Sequence, residues 1–310
     1  MHKILSFLLS LTITLSSYAF TATDKPIQVI VPFAPGGTVD IIFREFQLYA
    51  TSKGITMIGL YKPGALGVIG LQELTSSTPD GNSIALSLID SVAAYKISTG
   101  KVMNPDHILF LHQSVFAFVV KADSNLNSVE DVVAKMKENK KGVSIGFSTP
   151  IQGVITTEVF VKQAKVSEDR VILVNYGKGG AQIISDVIGG HLDIGLAALA
   201  QFDSQIKAGK LKAIAVDSTH RLKLYPEVHT LISTYPKLPP INRGICLLIN
   251  TSTPEQVAFW KKFVSDYKES PRFIARESTE FYEIKTLSPA DITKTILENE
   301  TLLRTLQAKE

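Results

Sequence analysis

The sequence predicts an α/β chain folded as two lobes, and three observations carry that expectation. Short β-branched apolar runs alternate with helical patterns, the order of a βα fold. The runs are apolar at successive positions, as in strands covered on both faces in a parallel sheet. A second βα series follows the first in a chain of 310 residues, enough for two lobes.

The chain opens with Lys3, an apolar run over 4–15, and Ser16, Ser17, Tyr18 and Ala19. A basic start, a short apolar middle and small residues at 17 and 19 are read as an export signal, 1–19, cut after Ala19. The run is too short for a membrane span, and no cysteine near the cut offers a lipid anchor. The mature chain is then expected in the periplasm. Without Lys3 it carries 31 Lys+Arg against 29 Asp+Glu. That balance, with basic residues scattered and no interleaved aromatics, excludes a nucleic-acid partner.

The strand at 27–31 is followed by Pro32, Pro35, Gly36 and Gly37 and by a helix from Asp40, with Thr38 or Asp40 as its cap. Two adjacent glycines admit a ligand close to the backbone, and the helix start is a seat for an anion. The loop lacks the spacing of a nucleotide motif, and an ordinary βα turn reads the same way. A strand at 56–60, a helix at 68–74, a turn at 79–82 and a strand at 83–88 complete the first series.

After a strand at 116–121, Ser128 caps a helix running to Lys137, with Asp131 completing a capping box. The second series has strands at 143–146, 171–174, 192–196 and 211–216, with helices at 154–163, 182–188 and 202–208. A proline-rich crossing at 235–240 leads to a buried strand at 244–249, a helix opened by Thr253 and Pro254, a strand at 281–287 and a last helix from Ser288. The closing helices are expected to pack on the first lobe, which makes it discontinuous: 20–120 with 240–310, the second lobe being 121–239.

The second glycine-rich loop follows a strand as Val174-Asn175-Tyr176-Gly177-Lys178-Gly179-Gly180, and its helix ends at Gly189-Gly190-His191-Leu192-Asp193. Together with VPFAPGGTVD at 31–40, this resembles the periplasmic solute-binding proteins of tripartite tricarboxylate transporters, the Bug family. Pro63-Gly64, Ile69-Gly70, Pro79-Asp80-Gly81, the run at 209–216 and Arg221 to Leu231 match further family segments in order, so the resemblance covers nearly the whole mature chain.

The resemblance implies a two-lobed, type II periplasmic binding fold holding a small organic carboxylate between the lobes and passing it to a membrane permease, the chain acting as a monomer without cofactor. Carried over by motif, Phe33, Ala34, Gly37, Thr38 and Asp40 come from the first loop and Tyr176, Gly177, Gly179 and Gly180 from the second. Ser87, Ser148, Thr149 and Ala198 stand at strand ends by the cleft. The chain departs from the family at 147–154, where the loop is more apolar, and at Ala65-Leu66, where the family has more glycine.

Asp40 either caps its helix or faces a ligand donor, and Tyr176 either bonds the ligand or walls the cleft. Six histidines are scattered without ligand spacing, no Gly-x-Ser-x-Gly elbow occurs, and Cys246 sits in an apolar run as a buried hydrophobe. These features argue against a metal site and catalysis. A sensory binding protein and a secreted hydrolase are the alternative functions.

Overall fold

The computed structural model describes residues 25–149, 152–153, 156–176, 180–236, 238, 244–251, 253–277, 282–283 and 287–307. The expected export signal, residues 237, 239 and 240 of the expected crossing, and Gly177 and Gly179 lie outside the described residues.

The strands form two six-stranded sheets. The first has β1 (Ile27–Val31), β2 (Met57–Tyr61), β3 (Asp80–Leu88), β4 (Ile108–Ser114), β11 (Gly244–Thr251) and β12 (Tyr282–Glu283), in the order β2-β1-β3-β11-β4-β12. The second has β5 (Phe116–Lys121), β6 (Val143–Phe147), β7 (Val171–Asn175), β8 (Ile194–Ala198), β9 (Leu211–Val216) and β10 (His229–Thr230), in the order β7-β6-β8-β5-β9-β10. β1 pairs in parallel with β2 and β3, as β6 does with β7 and β8. The sheets are nonetheless mixed. β11 runs antiparallel to β3 and β4, and β5 antiparallel to β8 and β9. Each of these two strands is the first element after the chain crosses between sheets, and β12 adds a further antiparallel strand at the edge of the first sheet, paired with β4.

Helices cover both sheet faces because the strands alternate. Val29 and Val31 of β1 pack with Ile42 and Phe46 of α1 (Thr38–Ser52), whereas Ile30 packs with Leu71 and Leu74 of α2 (Val68–Ser76). Buried side chains of this size each contribute about 1.5–3 kcal/mol relative to exposure. Carboxyl-terminal segments pack on the first sheet. Trp260 of the helix Pro254–Lys268 donates its buried Nε1 to the carbonyl of Gly81 at 3.1 Å, and the helix Pro289–Gln307 packs on α3 (Ile89–Thr99), where Lys96 meets Glu300 at 2.6 Å.

Several elements differ from the sequence expectation, β4 among them, which the sequence reading leaves without an element. β5, placed at the end of the first lobe, belongs to the second sheet, and the crossing falls at Val115. A single residue, Val115, joins β4 to β5, and only the 116–121 part of this stretch was read as a strand. α3 was not expected at all: residues 89–95 are buried without exception, and a helix buried all round shows no apolar stripe. The capping box at Ser128 is present and opens α4 (Val129–Glu138), the Ser128 hydroxyl accepting from the Asp131 N–H at 3.1 Å.

Candidate functional site

A cavity of about 530 Å³ lies between the two sheets, within the range of small-molecule sites. Its lining comes from the carboxyl ends of the parallel strands of both lobes, where open α/β sheets bind ligands. After β1 come Pro32, Phe33, Ala34, Gly37, Thr38 and Val39; after β2, Pro63 to Gly67; around the end of β3, Leu88 and Asp90. The second lobe supplies Ser148, Thr149 and Gln152 after β6 and Asn175 at the end of β7. Two helices of that lobe reach the same region, α5 (Gly180–Gly189) after β7 and α6 (Leu199–Lys207) after β8, and Gln201 of α6 completes the lining. Ser114 and Phe116 flank the crossing at the junction of the sheets.

The helix starts around this cavity differ from those elsewhere. The residues preceding α1, α2 and α3 are Gly37, Gly67 and Leu88, all on the lining, and none caps its helix with a side chain. Away from the cavity, Ser128, Thr230 and Thr253 each accept a backbone N–H of their own helix. A helix start without a side-chain acceptor leaves N–H donors and the positive end of the dipole for an anion. Of the three, α3 already carries an acid of its own on the cavity side, Asp90.

Asp40 faces away from the cavity and organises the first loop from behind. Its carboxylate accepts the Gly36 N–H at 2.7 Å, the Tyr61 hydroxyl at 2.5 Å and Arg44 Nε at 3.1 Å, and its side chain is only 2% exposed. Burial raises its pKa, but the bonds from Tyr61, Gly36 and Arg44 outweigh that and hold it below the ordinary value. Burial and the bond to Asp40 push the Tyr61 phenol up to about 12. The loop is thus pinned to β2 by a fixed negative charge.

The turn after β2 is strained. Gly64, Ala65, Leu66 and Gly67 have φ of 136°, 46°, 55° and 89°. Two of these are not glycine, and each left-handed non-glycine residue costs about 1–2 kcal/mol. A side chain at position 67 would put its Cβ 2.7 Å from Ser91 Oγ. The departure noted in the sequence, Ala65-Leu66, therefore falls where glycine would be cheapest, and it brings the Leu66 side chain to the cavity.

On the facing lobe, Gln152 gathers the loop after β6. Its Oε1 accepts the Ser148 N–H at 2.7 Å, the Thr149 N–H at 3.0 Å and the Ser148 hydroxyl at 3.2 Å. Gln201 Nε2 donates to the Thr38 hydroxyl, joining the lobes across the cavity. Gly180, the first residue of α5, makes room for that side chain: a Cβ there would stand 1.7 Å from Gln201 Oε1.

Of the residues expected at the site, Phe33, Ala34, Gly37, Thr38, Ser148 and Thr149 line the cavity. Gly180 stands behind Gln201. Tyr176 donates its hydroxyl to Asp186 at 2.5 Å, and burial with that bond pushes its pKa up to about 12. Ser87 and Ala198 are buried within their strands, Ser87 opposite Cys246, which is itself buried. Asp40, Tyr176, Gly180, Ser87 and Ala198 are absent from the lining among the described residues. Leu66 drew notice in the sequence only as a departure from glycine, and Leu88, Asp90, Ser114, Gln152, Asn175 and Gln201 were not expected at the site. All but Ser114 lie at or just after the carboxyl ends of parallel strands, the one signal that could have found them. Among the described residues, no group of His, Cys, Asp and Glu could hold a metal ion, and no helix is long and apolar enough to cross a membrane.

Two mixed sheets exchanging strands around such a cleft define a two-lobed binding protein of the periplasmic type. The chain belongs to the tripartite tricarboxylate transporter family receptors, periplasmic solute-binding proteins, whose family model matches residues 42–273. It is 25% identical over 248 residues to a UPF0065 protein of Bordetella pertussis, covering 78% of this chain and 76% of the relative. It is 26% identical over 222 residues to Protein BugT of the same organism, covering 69% and 67%. Among solved structures it is similar to the periplasmic binding protein BugD, with a TM-score of 0.76, 22% identity and coverage of 91% and 98%. It also resembles MatC from Rhodopseudomonas palustris with bound malate, at a TM-score of 0.71 with 15% identity and coverage of 89% and 98%. For Rpa4515 of R. palustris with adipate, the TM-score is 0.75 with 17% identity and coverage of 90% and 95%. At these identities the solved structures speak for the fold.

Proposed function

We propose that this protein captures a small organic carboxylate in the cleft between its lobes and delivers it, as a periplasmic monomer, to a tripartite tricarboxylate-type permease. The observation that carries the reading is the open start of α1: Gly37 offers no side-chain cap, and Thr38 stands on the cavity wall facing Gln201 of the other lobe. Backbone N–H groups and a hydroxyl satisfy a carboxylate without a buried lysine that would charge the empty cleft. Malate and adipate in two structural relatives support the ligand class. Phe33, Ala34, Gly37, Thr38, Ser148 and Thr149, together with Gln201, are the proposed contacts, with Gly177, Gly179 and Gly180 completing the second loop. Asp40 and Tyr176 support them from behind.

A thermal-shift screen against mono-, di- and tricarboxylates tests this. A ligand at a hundred times its Kd adds about 2.7 kcal/mol, which raises the Tm by several degrees. A response confined to carboxylates is expected. A response to uncharged solutes alone, or to nothing in a cleft verified to be empty, overturns the reading.

A further inference from the structure

The hydroxyls on the cavity wall are not equally engaged. Ser148 donates to Gln152 Oε1 at 3.2 Å. Thr38 accepts from Gln201 Nε2 and keeps its own proton to donate. Ser114 has no hydrogen-bond partner among the described residues, although it is 3% exposed and stands on the lining. A buried hydroxyl left unpaired is destabilising, and alanine would fill the same place in the strand without that cost.

The position of Ser114 is set by a strand rather than by a loop. It ends β4, which through two successive antiparallel pairings runs in the direction of β1 and β3, so it stands at the sheet edge where Val31 and Leu88 end theirs. Val115 then crosses to the second sheet, and its carbonyl accepts the N–H of Leu199, the first residue of α6, at 2.8 Å. Two residues further along that helix, Gln201 reaches Thr38 at the start of α1. The crossing is thus tied directly to α6, and α6 to the open start of α1.

We propose that Ser114 is a ligand-binding residue whose hydroxyl donates to an oxygen of the bound acid at the junction of the lobes. The inference rests on the carboxylate reading above and deepens it. An ionised carboxylate only accepts hydrogen bonds, so a hydroxyl with an uncommitted proton suits it, as it suits a further hydroxyl, carbonyl or carboxylate oxygen on the body of the acid. Because Ser114 adjoins the crossing residue, this bond anchors the acid to the segment that the two lobes share.

Calorimetric titration of the purified wild-type and Ser114→Ala proteins with hexanoate, 6-hydroxyhexanoate, malate and adipate tests it. Loss of one hydrogen bond is expected to weaken binding about three- to tenfold, with the Tm of the ligand-free protein unchanged or raised. A loss common to every acid that binds puts Ser114 on the carboxylate they share, and a loss that spares hexanoate puts it on a further oxygen. Affinities within twofold of wild type for every acid that binds overturn the inference and leave carboxylate capture standing, whereas no binding of any of the four to the wild-type protein overturns both. Ser114→Thr keeps the hydroxyl and supplies an independent reading, with affinity expected within twofold of wild type. A Ser114→Thr protein that keeps its Tm yet binds no better than Ser114→Ala overturns the assignment to the hydroxyl.

Discussion

The side-chain amide of Gln201 in the second lobe donates to the hydroxyl of Thr38 in the first, and both residues line the cavity. The bond spans the cleft beside the start of α1, where the proposed carboxylate would sit. It ties the relative position of the lobes to the start of α1.

Gln201→Ala removes this bond at a solvent-accessible edge. A single neutral hydrogen bond contributes about 0.5–1.5 kcal/mol, so carboxylate affinity is expected to fall about two- to tenfold with little change in Tm. Gly180→Ala should act through the same side chain, since its Cβ would displace Gln201 Oε1. In calorimetry the double variant is expected to cost no more than the larger single one, the mark of a shared pathway. Additive losses would separate the two residues.

Asp40 predicts a pH dependence of stability. Its folded pKa is depressed below its unfolded value, so its contribution is fully present above the unfolded pKa, about 4, and is lost as pH falls through the lower folded value. Asp40→Asn is expected to cost about 1.5–3 kcal/mol at pH 7, the worth of hydrogen bonds to a charged group. Urea unfolding of both proteins should show the gap narrowing as the pH approaches 3. Arg44, largely exposed, contributes little of it.

Tyr176 spends its hydroxyl on Asp186. Tyr176→Phe is expected to leave carboxylate affinity within twofold while lowering stability by about 1 kcal/mol. A tenfold loss of affinity with unchanged Tm would instead place the hydroxyl on the ligand.

Ser114 is 3% exposed, lines the cavity, and its hydroxyl has no hydrogen-bond partner among the described residues. Leaving such a group unsatisfied costs about 1–3 kcal/mol. Ser114→Ala is therefore expected to hold or raise the Tm of the ligand-free protein and to weaken carboxylate binding severalfold. Unaltered binding would assign the hydroxyl to solvent.

Most of the fold was legible because local signals agreed with global ones. The apolar run of β1, the Ser128 cap with Asp131, and the Thr253-Pro254 helix start each needed only neighbouring residues. The junction of the lobes was not legible, since β4 ends in the buried polar residues His112, Gln113 and Ser114 and a single residue joins it to β5. The two glycine-rich loops were visible in sequence, and the first of them lines the cavity. The direction of individual side chains was hidden. Asp40 looks equally suited to ligand or loop until Tyr61 and Arg44 are brought beside it. Gln201 carries no motif and acquires its role only when the second lobe sets it opposite Thr38.

The most direct test of the central claim is a crystal structure of the protein grown with the acid that binds best in the thermal-shift screen. The carboxylate is expected within hydrogen-bond distance of Thr38 and the first amides of α1, with Gln201 beside it. A carboxylate bound outside the cavity lined by Thr38, Ser148 and Gln201, or held there with its charge away from the start of α1, would contradict that claim.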